Sequence, residues 1–210
     1  MRRPGSMKAL EALGRVRLSE NFFFRDFLHS EIADFYRIPN LPDDPDLAIA
    51  AGRKLCEDLL EPLQASFGRL HIRSAYRNAA VNDFGNRNRL NCASNAASAA
   101  DHIWDRRDAD GHMGATACVV VPLTHDRHPE DGGWQGLAWW IHDHLPYGSL
   151  CFFPKLWAVN IRWQEAPERL IRSYAAPRGI LTRPGMDNHA GDHSALYPGF
   201  PAFQGAMLIR

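Results

Sequence analysis

The chain has 210 residues, with 24 basic and 24 acidic side chains and 45% hydrophobic residues. That suffices for one domain with its own core, and a net charge of zero with no run of clustered Lys and Arg argues against a broad nucleic-acid footprint. No stretch approaches the roughly 18 apolar residues of a membrane span. Met1-Arg2-Arg3 is not followed by the apolar run of a secretory signal, so the expectation is synthesis in the cytoplasm.

Residues 1–17 read as an N-terminal arm, with Leu10, Leu13 and Val16 on a weak helical face and Gly5 and Gly14 favouring fraying. From Leu18 the domain proper begins, and Phe23, Phe27, Leu28 and Ile32 recur at helical spacing. The turn-rich IPNLPDDP connector leads into a long helix over about 47–66, capped by Asp46, which Pro62 either kinks or divides from a second short helix after Glu61. Ile49, Leu55, Leu59, Leu60 and Leu63 form its apolar face, and Glu57, Asp58 and Glu61 its solvated one.

A short strand at Leu70–Ile72 precedes Arg73-Ser74-Ala75-Tyr76-Arg77, then a helix start at 78–84. The amides of Asn86, Asn88, Asn91 and Asn95 suit either turn chemistry or sugar and peptide binding. The pattern predicts a strand over Asp101–Asp105, a strand or inserted segment near 117–122, and a loop over 124–133 carrying His125 and His128. It predicts a helix over 134–145, strands over 149–153 and 156–163, and a helical piece within 167–174. Residues 175–210 read as an extended C-terminal tail. There, His189, Asp192 and His193 form a candidate metal cluster, and Phe200, Phe203, Leu208 and Ile209 form a docking edge for partner subunits. Cys56, Cys92, Cys118 and Cys151 make no C-x-x-C pair and read as buried reduced thiols.

The run Ile72-x-Ser74-x-Tyr76-Arg77, the Ser94–Asp101 segment and the helix over 53–63 resemble the zinc D-alanyl-D-alanine carboxypeptidases of bacterial cell-wall metabolism. These are VanY-like enzymes and phage endolysins that share a fold with hedgehog domains. The resemblance covers Leu18 to Trp163 and implies an α+β fold, a small antiparallel sheet with helices packed on one side. In the family, a histidine seven residues before the aspartate, the aspartate, and a later strand histidine hold zinc, and a glutamate is the general base. Here those places hold Ser94, Asp101, Asn160 and Phe153. A serine hydroxyl and an amide are poor zinc ligands, and a phenylalanine takes no proton.

The resemblance therefore implies a catalytically inactive scaffold with no zinc cofactor, whose cleft remnants are Ser74, Tyr76, Arg77, Ser94, Asp101, Phe153 and Asn160. It implies a peptidoglycan peptide or cell-surface glycan as ligand, or a place as a structural subunit in a phage-like particle. The competing expectation is an active metallopeptidase with a re-sited metal on Asp101 and His102 plus His112, His125 or His128.

Overall fold

The computed structural model describes residues 3–130 and 132–205. Leu208 and Ile209 of the expected docking edge lie outside them. The architecture is mixed α/β, built on an open six-stranded sheet of order β1-β2-β4-β3-β5-β6.

Helix α1 (Met7–Gly14) is capped by the Ser6 hydroxyl, which accepts from Ala9 N at 3.2 Å. It buries Leu13 completely, so a weakly amphipathic segment expected to fray is docked instead. A short 3₁₀ turn (Phe24–Phe27) inserts two rings into the core, and α2 (Glu31–Tyr36) follows. Helix α3 (Pro45–Leu55) is capped by Asp44 rather than Asp46, with Pro45 in the first turn where its missing N–H is harmless.

At Pro62 the second alternative holds: a π turn over Cys56–Leu60 leads into a separate short helix, α4 (Glu61–Phe67), with Pro62 in its first turn. Proline cannot donate to the carbonyl four residues back, and the widened turn lets Glu61 N reach Cys56 O instead. Glu61 is not merely solvated. Its carboxylate accepts from Ser19 Oγ at 2.7 Å, Asn21 N at 2.6 Å and Asn21 Nδ2 at 2.7 Å, tying the domain's start to this helix. Asp58 likewise accepts from the Trp163 indole at 3.0 Å.

The strands are β1 (His71–Ser74), β2 (Gly114–Val120), β3 (Ser149–Phe152), β4 (Val159–Gln164), β5 (Leu170–Ser173) and β6 (Gly179–Thr182). All pairings are antiparallel except β3 with β5. The smaller helices are α5 (Ala79–Arg87), α6 (Asn95–Ser98) and α7 (Pro122–Arg127). Helix α7 replaces the start of the expected 124–133 loop.

The helical piece expected within 167–174 is instead β5, whose Ile171 and Ser173 alternate into the protein interior. Four residues are too few for periodicity to separate strand from helix. The strand expected over Asp101–Asp105 is a series of turns with a single bridge between Ala99 and Ile103. Ala100 has φ of 52°, which bends the chain out of any ladder.

Helix α8 (Trp134–His144) forms as expected, but it is apolar on nearly every side. A helix of that kind must be covered all round, and the chain beyond 174 supplies the cover. Strand β6 extends the sheet. The Trp140 indole donates to Pro201 O at 2.8 Å, Phe200 packs on Phe67, and Phe203 stacks on His144. The described part of the expected tail is thus packed on its own chain.

Candidate functional site

Cross-strand partners share a face of a sheet. The register runs Ser74↔Cys118↔Asn160↔Cys151↔Arg172, a single row across β1, β2, β4, β3 and β5. The neighbouring positions Val119, Val159 and Phe152 point the opposite way into the main core. The row therefore floors a cleft of about 770 Å³. Arg73, Arg77, Asp101, His102 and Phe153 stand around it.

The turns over 98–106 hang Asp101 and His102 above this floor. His102 is buried, with Nδ1 at 2.8 Å from the Ala75 carbonyl and Nε2 at 3.4 Å from the Asn160 amide nitrogen. A carbonyl only accepts, so Nδ1 carries the proton and Nε2 accepts from Asn160. Burial, then the nearby Arg77 guanidinium, lowers the His102 pKa.

The sign of the pH effect follows. Folded His102 stays neutral where the unfolded chain already takes a proton, so its contribution to stability is intact above about pH 6.5 and is lost as pH falls below it. The expected slope is up to about 1.4 kcal/mol per pH unit. Urea unfolding at pH 7.5, 6.5 and 5.5 should show it, with His102→Gln flattening the profile. Parallel profiles for the two proteins would remove this role.

Asp101 has structural partners: Oδ1 accepts from the Thr116 hydroxyl and lies 3.9 Å from Arg162 Nε. Arg162 also donates to the Ala100 carbonyl at 3.0 Å. The Cys118 thiol is pushed up to about 11 by burial, and burial raises Cys151 as well. Both are thiols rather than thiolates at neutral pH and make poor nucleophiles. All four cysteines are unbridged. Cys118 and Cys151 flank Asn160 two strand spacings apart, about 9.5 Å, beyond disulfide reach.

Of the residues singled out from sequence, Ser74, Arg77, Asp101, Phe153 and Asn160 meet in the cleft. Ser94 does not line it, because its exposed hydroxyl caps α6 by accepting from Ala97 N at 3.3 Å. Tyr76 points the other way. Strand β1 ends at Ser74 after an irregular register, and the Tyr76 ring packs on Phe24 and Trp104. Burial is the first of the causes that raise the Tyr76 pKa.

Of the loop asparagines, Asn91 lines the cleft, while the other three bond to nearby backbone. Asn86 Nδ2 donates to Cys92 O, Asn88 Nδ2 to Phe84 O, and Asn95 Nδ2 to Ala79 O. His112 faces Asp108, His125 lies beside Trp157, and His128 stacks on Phe200. None of the three lines the cleft with Asp101 and His102. Among the described residues, groups of three metal-capable side chains occur at Asp108, Asp110 and His112, and at His142, Asp143 and His193.

Sequence reasoning missed Arg172, Cys118 and Cys151. Alternation places Cys118 with its row once β2 is recognised, whereas Arg172 was hidden by the helical reading of 167–174. Comparison with protein-family models, curated proteins and solved structures returns no match.

Proposed function

We propose that the chain is a catalytically silent member of the hedgehog and D-alanyl-D-alanine carboxypeptidase fold, whose cleft binds a carboxylate-bearing peptide such as a peptidoglycan stem. The observation that carries this is the ring of Arg73, Arg77 and Arg172 around a polar floor centred on Asn160. Guanidinium groups pair with carboxylates through paired N–H donors. Asn160 presents an amide, a poor zinc ligand, where the resemblance places a metal-binding histidine.

Supporting the silent reading, Asp101 is held by Thr116 and Arg162, and Phe153 stacks on Tyr174 instead of presenting a base. Such a module would serve on the cell wall or as a wall-contacting subunit of a phage-like particle.

Titration calorimetry with a peptide ending in D-alanyl-D-alanine tests it. Saturable binding without release of alanine is expected, and Arg172→Ala should weaken it about 10- to 100-fold, the worth of one charged hydrogen-bonded pair. Equal binding of a C-terminally amidated peptide, or alanine release, would overturn the reading.

A further inference from the structure

We infer that a divalent transition-metal site, of the kind zinc takes, staples the C-terminal segment to the end of α8. His142 and Asp143 lie in the last turn of α8, and His193 precedes a short 3₁₀ turn (Ser194–Leu196). One ligand atom from each of the three lies within 4.8 Å of the others. All three are well enclosed: His142 is 6% and His193 7% exposed, and the Asp143 side chain is 12% exposed.

The distances suit a metal. His193 Nδ1 is 2.7 Å from Asp143 Oδ1. Ligands on a tetrahedral zinc stand roughly 3.3 Å apart, from bonds of about 2.0–2.1 Å. A metal replacing the proton between them needs a shift of about half an ångström.

The outer contacts also match what metal-bound histidines use. A ligating imidazole commonly donates its other N–H to a carbonyl. His193 Nε2 faces the Asn188 carbonyl at 3.0 Å. His142 Nε2 faces the His189 carbonyl at 2.8 Å, leaving Nδ1 for the metal. That nitrogen now faces the Tyr147 hydroxyl at 2.6 Å, which has the Arg169 carbonyl at 3.4 Å as an alternative partner. A water would complete four-coordination.

An independent observation concerns supply. His142 and Asp143 open onto a groove of about 770 Å³ that also bears Glu20, Glu57, Asp58 and Glu61, against Arg169. A groove dominated by one sign of charge concentrates counter-ions. The sequence cluster of His189, Asp192 and His193 is partly re-assigned, since the Asp192 carboxylate accepts from Ser194 N and Oγ. Asp143 takes its place.

This site lies on the helix-covered side of the sheet. Helix α8 packs Trp134 on Phe152, which faces away from the cleft row. The inference is therefore independent of the proposed cleft function and assigns the metal no hydrolytic step.

The test uses full-length protein stripped with chelator, titrated with Zn²⁺ alone and then dialysed. One zinc per chain is expected, with a rise in melting temperature. Trp139, stacked at 4.3 Å on His193, should report binding of Co²⁺ or Ni²⁺ as fluorescence quenching. His193→Ala should weaken zinc binding at least about 100-fold, and His125→Ala should leave it unchanged. Should His193→Ala fail to fold, Asp143→Asn keeps an acceptor for His193 while removing the anionic ligand, and should lose at least about tenfold. Substoichiometric zinc after dialysis, or undiminished affinity in both variants, would overturn the site.

Discussion

Trp104→Ala is expected to destabilise the protein by about 3–5 kcal/mol, the range for emptying a large buried aromatic site. The indole is fully buried between Phe24, Phe27 and Tyr76, with ring centroids 5.4–6.3 Å away. Helix α3 lies directly against it: a Cβ added at Gly52 would sit 2.9 Å from the ring. These walls belong to a helix, a 3₁₀ turn and the stretch after β1, so they cannot collapse together into the void. The indole N–H also donates to the Thr116 carbonyl at 3.2 Å. The loss compares with total stabilities of about 5–15 kcal/mol. For a chain of this size the melting temperature should fall by roughly 6–20 °C. A change below about 1 kcal/mol in urea unfolding would mean that the cavity closes, contrary to the packing described.

Gly114→Ala is expected to cost about 3 kcal/mol, at the upper end of overpacking effects, and to disturb the cleft as well. A Cβ at Gly114 would collide with the carbonyl oxygen of Ala100, a backbone atom with no rotamer to escape into. That carbonyl already accepts from Arg162, and Ala100 N is shared between Ile103 O and Arg106 O. Relief must come from separating β2 from the turns that carry Asp101 and His102. Urea unfolding would measure the loss. Amide chemical shifts of residues 98–106 should move with it, while those of α8 stay in place. A variant of unchanged stability and unchanged shifts in that segment would show that the two backbones are not pressed together.

The elements legible in the sequence were those long enough for a period to register or marked by an unbroken apolar run. Helix α8 and the α3–α4 run declare themselves by apolar spacing, and the sheet core at 149–153 and 156–163 by β-branched and aromatic runs. The short strands β5 and β6 offer four residues each, bounded by proline and glycine, and tertiary pairing decides them. Asp101–Asp105 shows the converse error, an alternating string whose backbone turns at Ala100.

The site was half legible. Arg77, Asp101 and Asn160 follow from a linear motif, but Tyr76 departs because β1 ends before it, and Arg172 arrives through a parallel pairing that no local pattern announces. The one overlooked clue was α8 itself. With Trp134, Trp139 and Trp140 on different sides, it required a second covering layer, which the chain beyond 174 provides.

The cleft floor has a consequence for how the molecule breathes. Its five side chains come from five strands spanning residues 74 to 172, so no single hairpin or foldon contains the proposed binding surface. Partial openings that release one strand dismantle the floor, and a ligand seated there opposes all of them together. Occupancy should therefore slow amide exchange across β1 to β5 by a common factor set by ligand concentration over its dissociation constant, instead of protecting one patch.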